Sequence, residues 1–278
     1  MVDPLYIDRD GHRTWLKWHR GRRRASDPVF TGARILEAMR LGASVEVDLV
    51  IHGDHGCVVL HDKTLDRETT GTGPVRDASA DTIRALKLRG NDNAPLPDPV
   101  LLLEDLCDLL GKNPPHPDAL LQLDFKEDAD ALDPLTIENF GASVAPVASN
   151  LILSGGDAKA ISLLASSVQT LKFGYDPCYG EHLSRLRATK DYKTFIADAL
   201  ATAPGARMIY LHYEIVLAAD KAGCDMIGAV HADGRRVDCW TINTVNSTTI
   251  SQVTRLLELK ADQITTDDPE GLAAALDI

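Results

Sequence analysis

At 278 residues, with 44% hydrophobic and 25% charged residues, the chain has ordinary globular composition and the length typical of an eight-stranded α/β barrel. Its formal net charge of −12 argues against a general nucleic-acid binder, which carries a basic surface, yet admits an anionic substrate, because a metal and a few cations can invert the field inside one cleft. Five irregularly spaced cysteines without a Cys-x-x-Cys argue against a disulfide framework or a zinc site, and the lack of a secretory leader or a bilayer-length apolar run points to the cytoplasm, with no membrane span.

The first strand-like run, Leu16–Arg20, leads into His19-Arg20-Gly21. Barrel chemistry sits at the C-terminal ends of strands. There an imidazole beside a guanidinium suits an anion: Arg20 can fork onto phosphate oxygens and His19 can move a proton. Alone, the tripeptide reads better as a surface histidine. The Arg22-Arg23-Arg24 cluster that follows is either a solvated loop or an arm over the mouth that meets an anion. Apolar Ile35, Leu36 and Met39 then fall on one face of a helix over Thr31–Leu41.

The second run, Val45–Ile51, carries Glu46 and Asp48 on alternate positions. Side chains alternate faces along a strand, so the two acids point one way while Val45, Val47 and Leu49 point the other. Like charges on one face of an inner strand are costly unless something positive lies between them, and a divalent metal is the natural candidate. The bland alternative is the solvent face of an edge strand. Gly53-Asp54-His55-Gly56 is a turn signal, and the run after it, Cys57–His61, delivers a second histidine, His61, followed by Asp62. Either His61-Asp62 is a plain turn after the strand, with Asp62 satisfying backbone donors, or His61 is the partner of His19; an unperturbed histidine exchanges a proton near neutral pH. The remaining histidines His52, His55, His116, His182, His212 and His231 lack so clear a partner and are assigned to surface or loops.

Residues 63–99 are irregular, with Thr69-Thr70-Gly71-Thr72-Gly73-Pro74, a short helical piece, then Pro95, Pro97 and Pro99. An excursion of that length is usually a functional insertion. A further loop covers Lys112–Asp118. Leu120–Lys126 repeats the strand logic, with Asp124 and Lys126 on one face: a third metal ligand and a phosphate contact, or a plain salt bridge. Strand-like runs continue over Leu151–Ser154, Thr170–Tyr175, Arg207–Leu211, Val237–Asn243 and Gln263–Thr266. A helix over Thr248–Leu259 carries Ile250, Val253, Leu256 and Leu257 on one face. Trp240 is either a wall of the substrate cleft or a core tryptophan. Repeated strand-then-helix implies parallel strands with crossover helices. Nine runs is one too many for eight strands, so one of the two beside Gly53–Gly56 is expected to be a hairpin partner.

Taken together, His19-Arg20-Gly21, Glu46-Val47-Asp48, Val58-Val59-Leu60-His61-Asp62, Arg67-Glu68-Thr69-Thr70-Gly71-Thr72-Gly73, Trp240-Thr241-Ile242-Asn243 and Thr266-Asp267-Asp268-Pro269 resemble the glycerophosphodiester phosphodiesterase family in order and spacing. The resemblance implies a TIM (β/α)8 barrel, one domain over residues 1–278, with a small insertion over 63–99 after His61. It implies His19 and His61 as general base and acid, with a divalent ion on Glu46, Asp48 and a later carboxylate, for which Asp124 is the candidate. The ion is commonly magnesium or calcium, with manganese as a further option. Arg20, Lys126 and Trp240 are the expected substrate contacts, and the expected partner is a small-molecule phosphodiester; a homo-oligomer is left open. The chain departs from the family's pattern in three places. Arg22–Val29 lacks the usual Pro-Glu-Asn, Asp124 stands where the family has Glu, and His52 stands where it often has Thr. The alternatives to hydrolysis of a glycerophosphodiester are an opine-type sugar-phosphodiester hydrolase, a phospholipase D-type lyase forming a cyclic phosphate, and a catalytically silent binding barrel.

Overall fold

The computed structural model describes residues 5–276; the outermost residues of the expected 1–278 span lie outside the described ones. Twelve strands form among the described residues: β1 (Tyr6–Arg9), β2 (His12–Trp18), β3 (Ser44–Ile51), β4 (Cys57–Val59), β5 (Lys87–Arg89), β6 (Pro95–Pro99), β7 (Leu120–Phe125), β8 (Leu151–Gly155), β9 (Lys172–Tyr175), β10 (Met208–His212), β11 (Arg236–Ile242) and β12 (Gln263–Thr266). Strands β2, β3 and β7 to β12 run parallel, and the sheet closes on itself where Trp18 of β2 meets Val45 of β3. With helices between successive strands, this is a TIM (β/α)8 barrel.

The barrel's polarity follows from strand alternation. On β3 all eight residues are buried, but the two faces differ in kind. Val45, Val47 and Leu49 join the apolar layer that includes Ile35, Ala38 and Met39 of the helix Gly32–Leu41. Glu46 and Asp48 take the opposite face, toward the barrel axis. Strands β2, β7 and β11 repeat the pattern, with Leu16, Trp18, Leu121, Leu123, Val237 and Cys239 in the outer layer. Lys17, Gln122 and Asp238 meet inside. The apolar core is therefore a ring between strands and helices, and the axis is left for charge.

All nine expected runs are strands, with ends displaced by a few residues. The expected hairpin is there: β4 pairs antiparallel with the end of β3, Leu49 opposite Val59, across the Gly53–Gly56 turn. Three strands were not anticipated. β1 pairs antiparallel with β2 through Asp10-Gly11, both at positive φ (50° and 73°), the conformation a tight hairpin turn demands. β5 and β6 form a two-stranded sheet within 63–99, where Pro95, Pro97 and Pro99 are tolerated because no third strand needs their missing amides. Leu65, Val75, Ile83 and Leu88 tie this excursion into the apolar ring. Among the described residues, no helix is long and apolar enough to cross a membrane.

Leu123 is fully buried in the strand–helix layer. Leu123→Ala is expected to cost about 2–5 kcal/mol, read as a lower denaturation midpoint in urea; an unchanged midpoint would contradict this placement of the core.

Candidate active site

The three acids expected on β3 and β7 converge. Asp124 stands directly beside Asp48 in the parallel register of β7 on β3, and one carboxylate oxygen from each of Glu46, Asp48 and Asp124 lies within 4.8 Å of the other two. Two cations meet them. Lys126 places Nζ 2.7 Å from Asp48 Oδ1 and donates to Asp124. Arg20 places Nε 3.1 Å from Asp48 Oδ2, while its backbone amide donates to Glu46 Oε2 at 2.9 Å. Arg20 holds a left-handed backbone (φ 54°, ψ 32°), a sparsely populated region for a non-glycine residue; the tight turn at His19–Gly21 presents both its amide and its guanidinium to the acids.

The electrostatics of this cluster are unbalanced. Burial pushes the Asp48 carboxyl up, but Lys126 and Arg20 overcome it and hold the group below the usual carboxylate range. Burial, and then the charge of Asp48, push Glu46 well above that range. Burial opposes the Lys126 charge, yet Asp124 and Asp48 raise that group well above an ordinary lysine. Neither oxygen of the fully buried Asp48 has a partner in hydrogen-bonding geometry, although two cations stand within ion-pair distance. Three carboxylates facing two cations, with all-oxygen donors, fit a hard divalent cation.

Each histidine beside this cluster is locked by a carboxylate of its own. His19 lies just past the end of β2, its Nδ1 2.5 Å from Asp267 Oδ1. Asp267 is held in turn by Arg22 and by Asn243 Nδ2 at 3.1 Å. With the Nδ1 proton committed to Asp267, Nε2 faces Glu46 Oε2 at 3.9 Å. Burial outweighs the pull of Asp267 and keeps the imidazole below its ordinary pKa. His61 sits in the loop after β4, two residues beyond the strand end. Its amide and that of Asp62 both donate to the buried Glu68 Oε2, at 2.9 and 3.1 Å. Its Nδ1 lies 2.9 Å from Asp62 Oδ1, and Arg67 clamps Asp62 through two bonds of 2.6 Å.

His19, Arg20, Glu46, His61, Asp124 and Lys126 line one cavity of about 400 Å3, together with Trp240, Tyr210 and His212. A larger cavity of about 650 Å3 lies between the helices Glu181–Thr189 and Tyr192–Thr202 and holds no comparable constellation. Trp240 is half-buried and meets His212 edge-on at 5.0 Å, walling the cavity rather than filling the core. His212 is thus not one of the loop histidines it was assigned to, because the end of β10 turns it toward the mouth. His52 is also no surface residue: it is only 3% exposed, and its Nδ1 accepts from the Asp54 amide. The arginine cluster does meet anions, but they are the protein's own: Asp267 for Arg22 and Glu270 for Arg23 and Arg24. The role of Asp267 was not anticipated, although an acid at the C-terminal end of the last barrel strand is where barrel chemistry is placed.

A parallel barrel that gathers carboxylates, cations and two buttressed imidazoles at one rim has the layout of a barrel enzyme. The model of the glycerophosphoryl diester phosphodiesterase family matches residues 19–271, and the chain belongs to that family. A glycerophosphodiester phosphodiesterase from Caldanaerobacter subterraneus subsp. tengcongensis is 42% identical over 60 residues, a match spanning 21% of this chain and about a quarter (25%) of that relative's length. Among solved structures, a candidate glycerophosphoryl diester phosphodiesterase from Silicibacter pomeroyi superposes with a TM-score of 0.70 at 21% identity, covering 95% of this chain and 93% of that one. A phosphodiesterase from Oleispira antarctica, solved in complex with its product sn-glycerol-3-phosphate, gives 0.65 at 19% identity over 95% and 96% of the two chains. At these identities the superpositions speak for the fold.

The Asp62 clamp makes a pH prediction. The Arg67 hydrogen bonds are the main cause that lowers Asp62 from 3.8 to about 2. A depressed folded-state pKa stabilises above the unfolded value and loses that contribution as pH falls through the folded one. Asp62→Asn should therefore lower the thermal midpoint at pH 6 and converge on the parent as pH falls from about 4 to about 2. A difference independent of pH across that window would show that the clamp's charge is immaterial.

Proposed function

We propose that this chain is a divalent-metal-dependent phosphodiesterase, a single barrel domain with the 63–99 excursion at its rim. It hydrolyses a glycerophosphodiester to a phosphomonoester and an alcohol. One observation carries the reading: Glu46 and Asp124, of an acidic cluster suited to a hard cation, share one cavity with two imidazoles whose Nδ1 atoms are each committed to a separate carboxylate. The Oleispira antarctica protein's product supports a glycerol arm on the substrate.

Glu46, Asp48 and Asp124 would hold the cation, whose charge offsets that developing on the phosphoryl oxygens. The guanidinium of Arg20 and the ammonium of Lys126 share that task from opposite sides of Asp48. Water attacks phosphorus, and the P–O bond to the alcohol breaks. One imidazole takes the proton of the nucleophile at Nε2, and the other returns a proton to the departing alkoxide oxygen. The carboxylates behind the rings fix the tautomers and stabilise the imidazolium that forms, as in a catalytic triad. Trp240 offers a flat apolar wall for the alcohol arm.

His19→Ala and His61→Ala are each expected to lower kcat/KM on glycerophosphodiesters by about 10²–10⁴ with unchanged far-UV circular dichroism; parental turnover in either folded variant would sink the assignment. A chelator should abolish turnover, with recovery on adding magnesium, manganese or calcium, and full activity in the chelated protein would sink metal dependence. Phosphorus NMR should show glycerol phosphate accumulating, whereas a persistent cyclic phosphate would make the protein a lyase.

A further inference from the structure

A file of buried polar side chains crosses the barrel interior beneath the acidic cluster, and its direction is fixed by chemistry. Lys17 is 1% exposed, and its Nζ lies 2.9 Å from the fully buried Asp238 Oδ2. Thr265 Oγ1 donates to the other Asp238 oxygen at 2.7 Å. Lys17 also donates to Gln122 Oε1. An ammonium has only donors, so the Gln122 amide must turn its oxygen to Lys17 and its nitrogen away. That nitrogen donates to Ser154 Oγ at 2.8 Å. With its oxygen already accepting, Ser154 spends its one proton on Asp124 Oδ1, at 2.6 Å. From Lys17 through Gln122 and Ser154, successive donors thus point toward Asp124, where the file ends. The other Asp124 oxygen, Oδ2, is the one that meets Lys126.

We propose that Ser154 is a positioning residue for the metal site: its hydroxyl, aligned by Gln122 and Lys17, fixes which oxygen of Asp124 faces the cation. Asp124 and Ser154 are register partners on β7 and β8, so the bond spans two neighbouring strands of a rigid wall. The side chain of Asp124 is 18% exposed, against 1% for Asp48. Of the two, Asp124 has the greater freedom to turn away, and Ser154 removes that freedom. This rests on reading Glu46, Asp48 and Asp124 as the cation's ligands.

The test is Mn2+ binding, followed by the electron paramagnetic resonance signal of the free ion, with no substrate present. The parent protein should bind one ion. Ser154→Ala should weaken binding by about tenfold, and Ser154→Thr, which keeps the hydroxyl, should restore it to within about threefold. Ser154→Cys keeps the volume with a weaker donor and supplies a second variant should the alanine form fail to fold. In an Asp124→Asn background Ser154→Ala should add nothing further, as for two residues acting through one contact. Parental affinity in Ser154→Ala or in folded Ser154→Cys overturns the proposal while leaving the metal reading intact. A parent that binds no stoichiometric Mn2+ overturns both.

Discussion

A carboxylate with no access to water organises this barrel. Asp48 is buried completely, between Arg20 and Lys126, on a strand whose other face is wholly apolar. An unpaired charge there would be prohibitively costly, so the chain has to bring compensating groups to it. Arg20 arrives by a left-handed turn at the end of β2, and Lys126 arrives from the end of β7. The two flanking strands and the loops that follow them are thereby committed to one point on the axis. The same demand explains why the apolar core forms a ring outside the strands, where Val45, Val47 and Leu123 pack against helices.

Much of the fold could be read in advance because its main determinant is local. Alternation within β3, β7 and β11 follows from period-two geometry alone, and Gly53–Gly56 marks a turn whatever surrounds it. What escaped was either short or set by distant partners. β1 is four residues long, and half of its pattern is polar. β6 holds three prolines in five residues, a composition that argues against a strand unless the absence of a third strand is already known.

The site divides along the same line. Glu46 with Asp48 and Asp124 with Lys126 were visible because each pair shares one face of one strand. Asp267, the partner of His19, lies 248 residues away in sequence, and Ser154 lies 30 residues from Asp124. No periodicity links such positions; only closure of the barrel does. His212 was misplaced for the same reason, since its face depends on how β10 pairs with β11. Family resemblance supplied the ordered set of motifs, but it assigned no task to Gln122, Ser154 or Glu68, which act by holding other residues.

The two histidines show one device built twice from unrelated segments. In each, Nδ1 is engaged by a carboxylate that an arginine also grips: Asp267 with Arg22, Asp62 with Arg67. The arginine prevents the carboxylate from swinging to another donor, and the carboxylate prevents the ring from flipping. Such fixing of the tautomer leaves Nε2 as the free nitrogen of each ring. The two copies differ in their surroundings. The side chain of His19 is 16% exposed and faces Glu46, whereas that of His61 is 38% exposed and stands on a loop after a hairpin strand. Burial disfavours the imidazolium at His19 and outweighs the pull of Asp267. The same clamp is thus set in two different surroundings, one ring walled in beside an acid and the other open on a loop.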